Sequence, residues 1–240
     1  MKRLRHFRRL LRAGWLPLLL APADGMAAET LRLVNLSPLD TPNMLAMRRT
    51  LDAAFAHAGL AYTIEYQPPE RALAAFMAGE FDGDPNRGPQ FQQFYPGAIR
   101  VEPHLRTSWY YAISASTQVR PKSWADLGHY HIAYMRGLHG IDLMTRHVAR
   151  RETPYTHDAC IRMALLRRVD LCIVSSETAG HWPLQEKYAS RVQATAFEHL
   201  DIYLWLAPGE RAAADKLTRA MQGMAGSGEL QRLMGPFRSN

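Results

Sequence analysis

Short apolar runs alternate with helical stripes along most of the chain. Leu31–Leu36 (LRLVNL) reads as a buried strand that ends in the turn SPLDTPN, which holds Ser37. Thr41 followed by Pro42 is a helix start, a capping hydroxyl and then proline at the first helical position. The helix runs to about Gly59, with Met44, Met47, Leu51, Ala54 and Phe55 as its buried stripe. Tyr62–Tyr66 (YTIEY) alternates like a strand. Pro68 and Pro69 break it and open a helix from Glu70 to Ala78, with Gly79 as its C-cap.

The polar stretch GEFDGDPNR, Gly79 to Arg87, reads as a helix-ending loop, where Asp, Asn, Gly and Pro are at home. Beyond it, Ala98–Val101, Trp109–Ser114, His131–Met135, Val169–Val174 and Glu198–Leu206 read as strands. Asp142–Arg151, Asp158–Arg168 and Arg211–Leu233 read as helices, the last with a glycine-rich break at Gly223–Gly228. Strand–helix units of this kind imply a parallel sheet with crossover helices. The α/β unit occurs twice, which predicts two lobes with a central cleft. The expected limits are 29–115 with 195–240 for one lobe and 116–194 for the other. Strands near Trp109 and Tyr203 would cross between them.

Composition changes this picture at the N-terminus. The 240 residues carry a net charge of +7 and a pI near 9.6, which alone would suggest nucleic acid. The excess sits in MKRLRHFRRLLR, followed by the short apolar run AGWLPLLLAPA and the small-residue stretch DGMAA. Basic, apolar and small segments in that order form a cleavable export signal over residues 1–28. Taking its six basic residues and one acidic residue off +7 leaves +2. No basic stripe remains to track a phosphate backbone, so nucleic acid is not an expected partner. Export also makes one disulfide between Cys160 and Cys172 compatible with the compartment, beside the alternative of two separately buried thiols.

Several chemistries lack their residues. Asp82, Asp84 and Asn86 have the spacing of the first three ligands of a calcium loop. Its sixth position is Arg87 instead of glycine, and its twelfth is Gln93 instead of glutamate. His129 and His131 have no third ligand nearby. No G-x-S-x-G, H-E-x-x-H or phosphate loop is present. The residues thus call for no metal, no cofactor and no catalytic group.

The segments PPERALAAFMAGEFDGDPNR, IRVEPHL, KSWADL with HIAYMRG, and RRVDLCIVSS stand in an order that resembles bacterial extracellular solute-binding proteins of family 3. The resemblance spans nearly the whole chain after residue 28. It implies an α/β, two-lobed, periplasmic-binding-protein-like type II fold with a central cleft, and a periplasmic location. It further implies a small-molecule ligand, a membrane permease or sensor as partner, and a monomer. On matching positions, Arg71 lies near the cleft, Arg87 grips a ligand carboxylate, and Gly137 with His139 and Gly140 forms a loop that offers donors from the second lobe. Ser37, Tyr66, Asp84 and Ser175 complete the expected ligand-binding set.

Two departures bear on the ligand. The first-strand turn lacks the family's aromatic residue. Ser175 stands where amino-acid binders have an aspartate for the ligand's ammonium, which a hydroxyl cannot neutralise. A small polar or anionic solute is therefore the expectation. A periplasmic dehydratase-like enzyme on the same fold, or an orphan sensory or scaffold protein, is the alternative, since fold does not fix function.

Overall fold

The computed structural model describes residues 30–176 and 190–238. The segment read as an export signal lies outside the described residues. Nine strands are present among those described: β1 (Thr30–Asn35), β2 (Ala61–Tyr66), β3 (Gly83–Arg87), β4 (Ile99–Arg100), β5 (Arg106–Ser114), β6 (Ile132–Tyr134), β7 (Arg151–Glu152), β8 (Leu171–Ser175) and β9 (Gln193–Leu206). They form one sheet in the order β2-β1-β3-β9-β5-β8-β6-β7, with β4 paired to β9.

The sheet has two similar halves. In one, β2, β1 and β3 are parallel and β9 runs against β3. In the other, β7, β6 and β8 are parallel and β5 runs against β8. The N-terminal part of β9, Gln193–Ile202, pairs with β5, and Tyr203–Leu206 pairs with β3 and β4. The parallel arrangement expected from the repeated units holds within each half, and the two long strands that join the halves are antiparallel.

Helices cover the faces through local signals. The first, α1 (Pro42–Ala58), begins at Thr41, whose hydroxyl accepts from the Met44 N–H at 3.3 Å, and ends at Gly59 in the left-handed region at φ 65°. Its predicted stripe is buried against Leu31, Leu33 and Leu204 of the sheet and Leu217 and Met221 of α5 (Arg211–Gly226). The next helix, α2 (Pro69–Met77), buries Ala72, Leu73, Ala75 and Phe76 against Val34, Phe91 and Trp205. The far half of the sheet buries Tyr110, Trp124, Ile132 and Ile173 beside α3 (His139–Met144). A further helix, α4 (His157–Leu165), carries Cys160, and α6 (Glu229–Met234) follows α5.

Three readings need correction. Gly83–Arg87 is β3, a buried strand in the interior of the sheet, and not a loop. Gly83 is required there because a Cβ would lie 2.6 Å from Leu206 Cδ2 and 2.8 Å from the Trp205 carbonyl. Pro85 is accommodated by a register shift between Asp84 and Arg87, as expected of proline at a bulge. Asp82 does not shape a turn; it accepts from the Arg32 N–H at 2.7 Å, tying β3 to β1. The predicted helix Asp142–Arg151 is instead α3 followed by β7, because Thr145 turns back on Ile141 and Arg151 joins β6.

Cys160 and Cys172 form a disulfide, with Cα atoms 5.6 Å apart, that staples α4 to β8. Both sulfurs are buried among Ile113, Ile161 and Val174. Cys160→Ala/Cys172→Ala is expected to lower the unfolding free energy by about 2–4 kcal/mol. Urea titration reads this as a lower midpoint, and an unchanged midpoint would remove the bridge from the account.

Candidate functional site

Parallel strands leave their carboxyl ends without ladder partners, and loops leaving those ends gather where chemistry can be placed. Here the loops after β1, β3 and β6 meet around a cavity of about 560 Å³. The β1–α1 turn contributes Ser37, Asp40 and Thr41, and the end of β2 contributes Tyr66. The end of β3 and the residues after it supply Asn86, Arg87 and Gln90, and β5 supplies Arg106, Ser108 and Tyr110. The far half supplies Gly137, His139, His157 and Ser175.

Six of the eight residues expected from the sequence therefore line one cavity: Ser37, Tyr66, Arg87, Gly137, His139 and Ser175. Arg71 does not. It lies on the exposed face of α2, whose other face is consumed by Ala72, Leu73 and Phe76. Asp84 does not line the cavity either. It is fully buried and its two oxygens are engaged, Oδ1 by the Asn86 N–H at 2.9 Å and Oδ2 by Arg87 Nε at 2.6 Å. Burial pushes its carboxyl up from the ordinary value, against the charge of Arg87 and the two hydrogen bonds, which pull it down.

Asp84 thereby fixes Arg87 from behind. The guanidinium lies 5.4 Å from the centre of the Phe91 ring, and the Arg87 carbonyl accepts from Trp205 Nε1 at 3.3 Å. Arg87 is 7% exposed, and its Nη2 is buried without a hydrogen-bond partner among the described residues. A charged donor left unmade in the interior costs more than the ordinary 1–3 kcal/mol or so of a neutral one, so such groups are rare unless something else completes them. With Nε bound to Asp84, the unspent Nη2 of the guanidinium is a charged donor for an incoming oxyanion.

Arg106, Gln90, Ser108 and Tyr110 also line the cavity without having been expected there, and so does Asn86, weighed in the sequence only as a calcium ligand. Strand β5 starts at Arg106 and not at Trp109, so Arg106, Ser108 and Tyr110 alternate onto the cavity side. That alternation was available in RTSWY. Arg106 Nη2 donates to Asn86 Oδ1, and Asn86 Nδ2 donates to Ser37 Oγ at 3.2 Å. A buried polar chain thus ties β5 to β3 and to the β1 turn.

His139 opens α3 with its ring 6.0 Å from that of Phe94. Burial, and then the charge of Arg87, lowers its pKa from the ordinary 6.5, against Asp142 and Glu70. Among the described residues, no group of three His, Cys, Asp or Glu side chains could hold a metal ion. Among them too, no helix is long and apolar enough to cross a membrane.

No protein-family model and no curated protein matches the chain. Solved structures do. The periplasmic VFT2 domain of Bordetella pertussis BvgS is 14% identical, with a TM-score of 0.65 over 87% of this chain and 93% of that one. A substrate-binding protein of an ABC uptake transporter from Streptococcus pneumoniae, with bound histidine, is 9% identical, with a TM-score of 0.63 over 87% and 92%. An ancestral amino acid-binding protein, AncCDT-1, a precursor of cyclohexadienyl dehydratase, is 14% identical, with a TM-score of 0.61 over 88% and 96%. At such identities the likeness is one of fold. The chain has the two-lobed type II periplasmic-binding fold.

Proposed function

We propose that this chain is an exported solute-binding protein that closes two lobes over a small polar, anionic molecule. One lobe is formed by 29–115 with 195–240 and the other by 116–194, joined through β5 and β9. The observation that carries the reading is the buried Arg87 Nη2, a charged donor without a partner among the described residues, on a residue that lines the cavity. A ligand carboxylate or similar oxyanion completes it. Ser37 and Asn86 hold the first-lobe side of the ligand, Arg106 and Tyr110 reach it from the joining strand β5, and Gly137, His139 and Ser175 hold the second. Tyr66 packs at the rim. Arg71 has no part in binding, and Asp84 positions Arg87.

The disulfide and the N-terminal signal pattern both support a periplasmic location. The structural neighbours include binding proteins of transporters and a BvgS domain, which supports either a permease or a sensor as the partner of the closed form. Ser175 at the end of β8 offers a hydroxyl, and the acid among the described lining residues, Asp40, is exposed, so no buried carboxylate among them awaits an ammonium and a ligand without one is favoured.

The test is a thermal-shift screen of the mature chain with organic acids, amino acids and amines. A carboxylic or other oxyanionic acid is expected to raise the melting temperature. Stabilisation by amines alone would overturn the reading. The pH dependence has a defined sign. A bound anion raises the His139 pKa from its lowered value, so binding takes up a proton. Affinity should therefore strengthen as pH falls through the His139 pKa of the bound form and level off below the lowered pKa of the free form. His139→Gln should flatten this profile in calorimetric titrations, and a profile that weakens with acidity would contradict the placement.

A second reading has one observation in its favour. Asp84 is a buried acid with a raised pKa beside an arginine, a combination found in acid–base catalysts. Its oxygens are spent on Asn86 and Arg87 and it does not line the cavity, so we favour binding. Product formation from any stabilising acid would reverse that choice.

A further inference from the structure

Two segments far apart in sequence meet at the edge of the cavity. One is the first turn of α2 with Gln90, and the other is the Gly137–Gly140 stretch that leads into α3. Gly137 has φ +83°. A Cβ on it would lie 2.8 Å from Glu70 Cγ, 3.1 Å from the Glu70 backbone nitrogen and 3.3 Å from Pro69 Cβ. A Cβ on Gly140 would lie 2.8 Å from Gln90 Nε2. On its own side, Gln90 rests on Gly88, where a Cβ would come within 2.5 Å of its Oε1. The Gln90 carboxamide thus threads between two bare glycines, one from each side of the cleft. Phe94 and His139 face each other on the same boundary.

Gly79 sharpens the comparison. It also has positive φ, +77°, yet a Cβ there would meet nothing within 4 Å. Backbone conformation alone explains Gly79. At Gly137 conformation and close approach both demand glycine. The approach includes backbone and a proline ring, which cannot swing aside as a side-chain tip can.

We propose that Gly137 and Gly140 form a glycine-keyed closure seam: the first turn of α2 seats on Gly137 and Gln90 seats against Gly140 when the lobes shut. This rests on the two-lobed binding reading above. It adds that the extent of closure is set at this seam, on the rim of the cavity, as well as by the ligand. Any β-carbon at position 137 holds the lobes apart whatever occupies the cleft.

The test needs no solute. Gln90→Cys/Gly140→Cys is made in the mature chain and treated with a short bis-maleimide, which alkylates the two free thiols and leaves the native disulfide untouched. Peptide mass spectrometry follows the rate of the 90–140 crosslink. The pair should crosslink readily. Adding Gly137→Ala should slow it about tenfold, the scale of an overpacked contact. Adding Gly79→Ala, which imposes the same backbone strain without the contact, should leave the rate unchanged. Adding Glu70→Ala to the Gly137→Ala protein should recover part of the rate, because it removes the Cγ contact.

A pair that does not crosslink while keeping its melting temperature would overturn the seam. So would equal rates with and without Gly137→Ala. Either result leaves the thermal-shift screen free to succeed. A working seam with no stabilising acid would instead count against the binding reading alone.

Discussion

Arg87→Ala is expected to lower the unfolding free energy by about 3–5 kcal/mol and to abolish stabilisation by any acidic ligand. Both losses follow from one geometry. Asp84 is fully buried, and Arg87 Nε meets it at 2.6 Å. Removing the guanidinium leaves a carboxylate in the interior with the Asn86 N–H as its remaining donor. Protonation of Asp84 relieves part of that cost, in the direction in which burial already pushes the group.

Because the single variant confounds folding with binding, a second one separates them. Asp84→Asn/Arg87→Met replaces the ion pair by groups that need no countercharge. It should regain most of the stability, as replaced buried pairs do, and stay blind to ligand. Recovery of binding in the double variant would remove Arg87 from the site. Recovery of neither stability nor binding would mean that β3 needs the pair for its path.

Trp205→Ala is expected to cost about 3–5 kcal/mol. Trp205 is 1% exposed and its ring centre lies 5.4 Å from that of Phe91, edge to face. Phe91 in turn stacks at 5.8 Å on Phe76 of α2. This aromatic column fills the space under β3, and the indole Nε1 donates to the Arg87 carbonyl. A cavity at this point would loosen the backbone that aims Arg87. Trp205→Phe keeps one ring against Phe91, loses the hydrogen bond and leaves a smaller cavity, so it should cost about 1–3 kcal/mol, less than Trp205→Ala. Denaturant midpoints of the two variants read the difference. Equal midpoints would mean that the ring contributes little beyond its bond.

Helix α1 was legible because its signals are local. Thr41 caps, Pro42 opens, Gly59 closes, and five apolar residues at helical spacing face inward. The doubled α/β unit and the crossing of strands near Trp109 and Tyr203 were legible from the order of apolar runs. Strand β3 was not. Asp84, Pro85, Asn86 and Arg87 carry turn chemistry by composition. Only the tertiary setting supplies the Asp84–Arg87 pair and the Asn86–Arg106 bond that make them tolerable in a sheet interior. The same polar self-satisfaction hid the division of labour at the site. Arg87 and Asp84 are three residues apart, and nothing local says that one lines the cavity while the other stands behind it. Arg71 failed for the opposite reason. Its position near the start of a helix suited the cleft, but helical phase put it on the outer face. Gln90 carries no sequence signal at all, because its relation to Gly140 exists only across the cleft.

Native mass spectrometry of the mature protein, purified from the periplasm of an expression host without added ligand, tests the central claim most directly. The account predicts a mass increment for one small anionic molecule per chain, lost on mild unfolding and missing from a folded Asp84→Asn/Arg87→Met protein. A wild-type chain that carries nothing and acquires nothing from an organic-acid mixture would contradict it. So would an increment that the double variant retains.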